Sequence, residues 1–417
     1  MTTLMTSDSQ GSASQAINVS GGVLPRSRVA LLTSAATWSG VEVHTLGLAR
    51  ALREHGCDVV IVELGRDVYS TSSGLESNEI IRIGIGDRPT EALSSLSFFA
   101  WVKLFRTIDC DIAVSVKGTF KFGSLSMEAA ALWCFKKFMV IEHMQAPLGK
   151  RTPTRHLGGL IPSIGLWWYR GRLAGHLRSI SPQRVICVSH AAAATLLDDY
   201  AYPPEKLVTA HNGVDTGVFV PDAVARTQAR QRWNIPDGAL VFGSVGRLSP
   251  MKNHVQLVRA FHRLCSGGNL RDLRLIIIGE GPQRDAIEMM IRSLRLEDKV
   301  TLTGFSARPE AIIPAFDVFC LPSLPGESLP LSLLEAMSCQ VPAIASTVGG
   351  IPEVLDNESL GWLIPPADDN ALLDAMRKAA TQSPVLLEQM GINARREVRR
   401  RFQASDKWAE LVEIICR

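Results

Sequence analysis

Residues 322–351, P-S-L-P-G-E-S-L-P-L-S-L-L-E-A-M-S-C-Q-V-P-A-I-A-S-T-V-G-G-I, read as a loop, a helix and a strand in succession. Proline and glycine break up the first third. Pro330 suits the first turn of the helix, because it has no N–H to leave unpaired and its φ is already set. The apolar run 343–345 then reads as a buried strand. The stretch also carries chemistry. Glu327 stands in the loop and Glu335 in the helix, eight positions apart. The N–H groups of Leu331 and Ser332 point out of the helix start, where unpaired donors and the helix dipole attract phosphate. An anion cradle with a carboxylate on either side suits a diphosphate held between two hydroxyl-rich rings. A loop–helix–strand unit with two incidental glutamates is the plainer alternative, and the flanking segments decide between them.

Upstream, the apolar run 240–245 leads into Gly246-Arg247-Leu248-Ser249-Pro250-Met251-Lys252-Asn253, which places Arg247 and Lys252 on a strand-to-helix turn. Arginine offers a planar fork of donors and lysine a mobile point charge, a pairing suited to two adjacent phosphates. His211-Asn212-Gly213-Val214-Asp215 precedes this turn. Ile276-Ile277-Ile278-Gly279-Glu280-Gly281-Pro282 and Leu302-Thr303-Gly304-Phe305 follow it. With these motifs in this order, the chain resembles the family 4 retaining glycosyltransferases of GT-B fold. That family shows G-R-L-x-x-x-K, a G-x-G-P turn and two glutamates at this spacing. The resemblance covers residues 28–417 and is strongest over 205–355.

The resemblance implies an α/β protein: two Rossmann-like, doubly wound domains facing across a cleft, with a last helix crossing back onto the first. The Ser/Thr/Gly/Gln-rich start reads as a disordered tail (1–27), and the alternation of strands and helices divides the rest into a first domain (28–210), a second (211–400) and a terminal helix (401–417). The resemblance makes the first the acceptor domain, the second the sugar-nucleotide domain and the last helix the returning one. The residue pattern agrees. Short apolar runs alternate with segments of helical period, as in parallel sheets with right-handed crossovers. Strands are expected at 28–34, 58–63, 80–85, 111–116, 138–141 and 184–188, then at 240–245, 273–278, 299–302, 318–321, 343–345 and 361–364. A helix over 41–55 would turn Val43, Leu46, Leu48, Ala49 and Leu52 to the core, and Trp408, Leu411 and Ile415 recur at helical spacing in the last segment. Ligands of open α/β sheets bind beyond the carboxyl ends of the strands.

By the same resemblance, Arg247 and Lys252 would neutralise the diphosphate of the leaving nucleotide. Glu335 would accept hydrogen bonds from the ribose, and Glu327 would contact hydroxyls of the transferred sugar. Gly304 and Phe305 would hold the base through the backbone. His143, at the end of a strand, would lie near donor sugar and acceptor. Ser39-Gly40-Val41-Glu42 stands where the family has Gly-Gly-x-Glu, and Gly40 would let the backbone approach the phosphate. The expected catalytic set is Arg247, Lys252, Glu327 and His143. The expected donor-binding set is Gly40, Arg247, Lys252, Gly304, Phe305, Leu331, Ser332 and Glu335. Two departures bear on the pocket: Ser39 replaces a glycine, and Ser328-Leu329-Pro330 replaces Gly-Phe-Gly beside Glu327.

No metal is expected. Asp109-Cys110-Asp111 precedes its strand and so falls at the wrong edge of the sheet, and Arg and Lys already cover the diphosphate. No cofactor is expected beyond a nucleotide-diphosphate sugar, UDP- or GDP-linked, as co-substrate. Gly84-Ile85-Gly86 lacks the third glycine of a dinucleotide fingerprint, and Ser189-His190 lacks a third member of a nucleophilic triad.

The chain has 417 residues, 46% of them hydrophobic, enough for two sizeable cores. Its net charge of +3 is unevenly spread: residues 100–184 hold 13 Lys/Arg against Asp109, Asp111, Glu128 and Glu142. That gives +9 there and −6 elsewhere, which points to an anionic partner for the first half. Residues 150–178 contain six Lys/Arg and no acid, interleaved with Leu157, Leu160, Ile161, Leu166, Trp167, Trp168 and Tyr169. Such a segment suits an anionic bilayer surface; packing of an insertion on its own domain is the alternative. No nucleic-acid module is present. The eight cysteines form no C-x-x-C or zinc spacing and read as buried free thiols of a reducing compartment. Neither a signal peptide nor an apolar run of about 18 residues occurs. The expectation is a cytoplasmic enzyme, peripheral on the membrane, with a nucleotide sugar and a lipid-linked or growing polysaccharide as substrates. A phosphorolysing or hydrolysing enzyme of the same fold, or a non-catalytic sugar-nucleotide binder, are the alternatives.

Overall fold

The computed structural model describes residues 27–33, 40–64, 80–83, 96–118, 124–143, 163–268 and 271–417, with the side chains of 80–83 and 163–171 outside that description. The expected tail over residues 1–26, Ser39, residues 84–86 and the basic stretch 150–162 lie outside the described residues.

Two parallel sheets form. The first runs through β1 (Arg28–Thr33), β2 (Asp58–Leu64), β3 (Ile80–Ile83), β4 (Ile112–Lys117), β5 (Lys137–Glu142), β6 (Arg184–Cys187) and β7 (Leu207–Thr209). Its spatial order is β3-β2-β1-β4-β5-β6-β7. The second comprises β8 (Leu240–Val245), β9 (Leu273–Ile278), β10 (Val300–Gly304), β11 (Val318–Leu321), β12 (Ala343–Ser346) and β13 (Gly361–Ile364). Its order is β10-β9-β8-β11-β12-β13. Both are doubly wound, reversing between β1 and β4 and between β8 and β11. Helices cover both faces, so strand residues are buried on each side: Val29 and Leu31 toward one layer, Ala30 and Leu32 toward the other.

The helices of the first half are α1 (Gly40–Glu54), α2 (Phe98–Phe105), α3 (Leu125–Cys134), α4 (Ser163–Ile180) and α5 (His190–Tyr200). Those of the second are α6 (Ala223–Arg232), α7 (His254–Cys265), α8 (Arg284–Ser293), α9 (Leu331–Ser338), α10 (Ile351–Val354), α11 (Asp369–Thr381), α12 (Pro384–Arg401) and α13 (Ala404–Cys416). α1 corrects one expectation. Val43 is exposed and His44 is buried in its place, on the stripe of Leu48 and Leu52. The i, i+4, i+8 spacing of those three sets the buried face.

The returning helix is present. α13 packs along α1, and Gly47 makes room for Trp408: a Cβ there would lie 2.4 Å from Trp408 Cζ2. Leu411, Val412 and Ile415 join a single apolar cluster with Leu31 and Leu52 of the first half and Leu333 and Met337 of the second. One core therefore runs through both halves. Asp109 and Asp111 sit at the opposite edge of the sheet, where Arg28 and Lys136 pair with them at 3.2 and 2.6 Å.

Candidate active site

The loops after β8 and β11 flank the point where the second sheet reverses, and they are tied together by Leu324 N–H donating to Met251 O at 2.7 Å. The first is held to the sheet by Gly246 N–H on Ile278 O (3.0 Å) and Leu248 N–H on Glu280 O (2.9 Å). Gly279 permits that approach, since a Cβ there would come 1.9 Å from Gly246 O. On this turn Lys252 reaches across to the β11 loop. Its Nζ lies 2.6 Å from Glu327 Oε2, and both side chains are largely buried. Ser323 Oγ donates to the same carboxylate oxygen at 3.1 Å. Arg247 is exposed on the same turn.

α9 begins directly after this loop. Pro330 is its N-cap, with φ −71 and ψ 123, rather than a first-turn residue, and no side chain caps the helix. Leu333, Leu334, Ala336 and Met337 are buried in the core, which leaves Leu331, Ser332 and Glu335 as the partly exposed face. Glu335 is pushed up to about 7, chiefly by burial, then by the charge of Glu310, with Lys252 opposing. Lys252 thus pairs with Glu327 and is close enough for its charge to favour ionised Glu335. His254, at the start of α7, is buried without hydrogen-bond partners, and burial and then Lys252 lower it to about 3. It stays neutral and adds no charge to the site.

Across the crevice the start of α1 faces the start of α9: a Cβ on Gly40 would lie 3.6 Å from Leu331 Cδ1. His143 follows β5 and is buried, with Nε2 unpaired. Burial holds it near 4, so it is a neutral ring. Its ring stands edge-on to His44 at 4.3 Å, and His44 in turn meets Trp408 at 4.8 Å. Gly304 closes β10 at φ +81 rather than lying in the loop beyond it, and Phe305 is exposed next to it. The loops after β8, β10 and β11 and the starts of α1 and α9 therefore lie on one side of the molecule. Lys252 and Glu327 are in contact there, Glu335 feels the charge of Lys252, Arg247 shares the Lys252 turn, and Gly40 meets Leu331, next to Ser332.

Three contributors were not legible beforehand. His44 backs His143. Asn212 Nδ2 donates to Leu329 O at 2.8 Å, anchoring the β11 loop to the linker between the halves. Glu353, on α10, accepts from His190 N–H (3.0 Å) and Ala191 N–H (2.9 Å) at the start of α5 and pairs with His211 Nε2 at 2.7 Å. Ser189 and His190 thus have a structural use: Ser189 Oγ accepts from Ala192 N–H, and His190 offers its backbone to Glu353.

Two doubly wound domains with a last helix crossing back onto the first define the GT-B architecture. Residues 38–218 match the model of Glycosyltransferase Family 4, and residues 225–397 match that of Glycosyl transferases group 1. Together the matches take in most of the chain, and it belongs to the family 4 glycosyltransferases of GT-B fold. A D-inositol 3-phosphate glycosyltransferase of Kineococcus radiotolerans is 33% identical over 245 residues, 54% of this chain and 55% of that protein. A UDP-Gal:alpha-D-GlcNAc-diphosphoundecaprenol alpha-1,3-galactosyltransferase of Escherichia coli is 28% identical over 217 residues, 52% of this chain and 55% of that one. The chain spans about half the length of the curated relatives it matches. Anabaena HepE in complex with UDP and glucose superposes with a TM-score of 0.76 at 18% identity, over 94% of this chain and all of that one. Among the described residues no helix is long and apolar enough to cross a membrane.

Proposed function

We propose that the protein is a retaining glycosyltransferase. It moves a sugar from a UDP- or GDP-linked donor to a hydroxyl of a lipid-linked or growing polysaccharide, without a metal ion. One observation carries this reading. Lys252 and Glu327, from the loops after β8 and β11, meet at 2.6 Å at the strand reversal, before an uncapped helix start that another helix start faces. Lysine has three N–H donors, and Glu327 takes one; two remain for phosphate oxygens. Arg247 adds a fork at the mouth of the same turn. Leu331 and Ser332 N–H groups meet the phosphate, and Glu335 the ribose. Glu327 grips the transferred sugar, and the unpaired Nε2 of His143 faces it from the other half.

As the glycosidic bond to the diphosphate breaks, negative charge grows on the bridging oxygen, where Lys252 and Arg247 stabilise it. The acceptor hydroxyl enters on the face the nucleotide leaves, and a phosphate oxygen takes its proton. That route needs no covalent intermediate on a side chain, and it gives Glu327 the role of holding the sugar hydroxyls. The neutral state of His143 suits a hydrogen-bonding role rather than a positive charge.

Lys252→Ala is expected to lower kcat by about 100- to 1,000-fold, the usual loss for one preorganised donor. Nuclear magnetic resonance of the wild-type product should show the donor's anomeric configuration kept. Normal turnover by the variant, or an inverted product, would overturn the proposal. Release of free sugar without acceptor at the full rate would point to hydrolysis instead.

The acceptor's membrane setting rests on the basic first half and on α4, where Leu173, Leu177 and Ile180 are exposed at four- and three-residue spacing on one face. Anionic vesicles should pellet the protein at low salt and release it as salt rises. Leu173→Glu with Leu177→Glu should abolish pelleting. No pelleting of wild type at low salt sinks this part alone.

A further inference from the structure

Two of the eight cysteines meet where the last helix lies on the first domain. Cys57 occupies the turn between α1 and β2, and Cys416 ends α13. They stand 359 positions apart in the chain, yet their Sγ atoms are 3.7 Å apart, and both side chains are partly exposed. We propose that Cys57 and Cys416 form a thiol–disulfide exchange site, which reacts with low-molecular-weight disulfides and closes into a reversible Cys57–Cys416 bond that clamps α13 to the first domain.

The surroundings decide which sulfur attacks. Lys137 Nζ donates to Cys416 O at 3.3 Å and so brings a positive charge to that end of the pair. Either sulfur can donate across the contact; with Lys137 on the Cys416 side, the singly ionised pair keeps its proton on Cys57, which donates to the Cys416 thiolate. This hydrogen bond is the main reason the Cys416 thiol is held below the ordinary thiol range; burial opposes it, and Lys137 adds to it. The same bond, with burial, drives Cys57 upward. Burial also raises the other six, Cys110, Cys134, Cys187, Cys265, Cys320 and Cys339. Cys416 is therefore the one thiol suited to attack near neutral pH, where the best nucleophile has a pKa close to ambient. A groove of about 740 Å³ between α1 and α13, lined by Ala51, His55, Trp408 and Cys416, gives a small disulfide room to approach.

The chemistry balances in two steps. The Cys416 thiolate attacks one sulfur of R–S–S–R, forming Cys416–S–S–R and expelling RS⁻. Cys57 then gives its proton to water and attacks the Cys416 sulfur, forming Cys57–S–S–Cys416 and expelling a second RS⁻. Two protein thiols lose two electrons, and the small disulfide gains them as two thiols. The sulfurs must close from 3.7 Å to about 2.05 Å, a shift within reach of a terminal helical turn.

The test treats the full chain with oxidised glutathione, quenches by alkylation, and reads intact mass and peptide maps. Wild type should lose two free thiols and yield one cross-linked peptide joining Cys57 to Cys416, reversed by dithiothreitol. Cys57→Ser should stop at a single glutathione adduct on Cys416, and Cys416→Ser should leave Cys57 unmodified. Amide exchange over α13 should slow several-fold in the oxidised wild type. An adduct in Cys57→Ser at any other cysteine, or a wild type that halts at the mixed disulfide, would overturn the exchange site. Unchanged exchange in α13 would overturn the clamp.

Discussion

At Glu335 a carboxyl group with an ordinary value of 4.5 rises to about 7, because burial in the crevice and the charge of Glu310 outweigh the attraction of Lys252. The folded state therefore holds this proton more tightly than the unfolded chain. As pH climbs from about 4.5 to 7, ionising the group costs the fold stability, and the loss levels off above 7. Glu335→Gln removes the penalty. Variant and wild type should unfold at the same urea concentration near pH 4. At pH 8 the variant should be the more stable, by at most about 3 kcal/mol at 1.36 per unit, less what residual solvent contact screens. The reverse order at pH 8 would show that Glu335 is already satisfied in the empty crevice. On the proposed reading, in which Glu335 meets the ribose, two hydroxyls would give this carboxylate the donors that the protein alone withholds, so binding of a nucleotide sugar should lower the pKa of Glu335.

Among the elements, the start of α5 depends on a carboxylate from the other domain. Burial alone would raise Glu353, but His211 and the N–H groups of Ala191 and His190 outweigh it and the net shift is downward. Its contribution is present above the ordinary carboxylate value and disappears as pH falls through the folded value. Glu353→Ala should cost about 2 kcal/mol in urea unfolding at pH 7, the upper range for a lost helix cap. The gap between wild type and Glu353→Gln should shrink below pH 4. No sequence pattern announced this pairing, because it joins groups 162 and 163 positions apart. Strands were easier to read, since those of a parallel sheet covered on both faces are dense apolar runs: 240–245, 273–278, 318–321 and 361–364 appear with the expected bounds. β7 was missed because Leu207, Val208 and Thr209 are only half-buried and too few to show a period. The phase of α1 was misjudged because a histidine takes a place usually held by an aliphatic side chain.

On the scale of the whole molecule, the apolar cluster shared by α1, α9 and α13 makes the two sheets partners in one core. Trp408→Ala would open a hole above Gly47 and His44, at a cost of about 3 kcal/mol. Calorimetry should show one cooperative transition for wild type and two for the variant, with a lower kcat because the His44–His143 pair loses its backing. A single transition in both would mean the linker and the Glu353 contacts suffice to couple the halves. The short span 349–353 has a further consequence. Gly349, at φ +52, lies against the Glu327 backbone so closely that a Cβ would come 1.9 Å from Glu327 O. Gly350 N–H donates to Ser328 O, and a Cβ on Gly350 would meet Ser189 Cβ at 2.6 Å. Glu353 then takes hold of α5 and His211. One short span thus carries both the packing against the Glu327 loop and the tie to α5 and His211, so any displacement of one half relative to the other would be transmitted to the backbone that sets the Glu327 carboxylate.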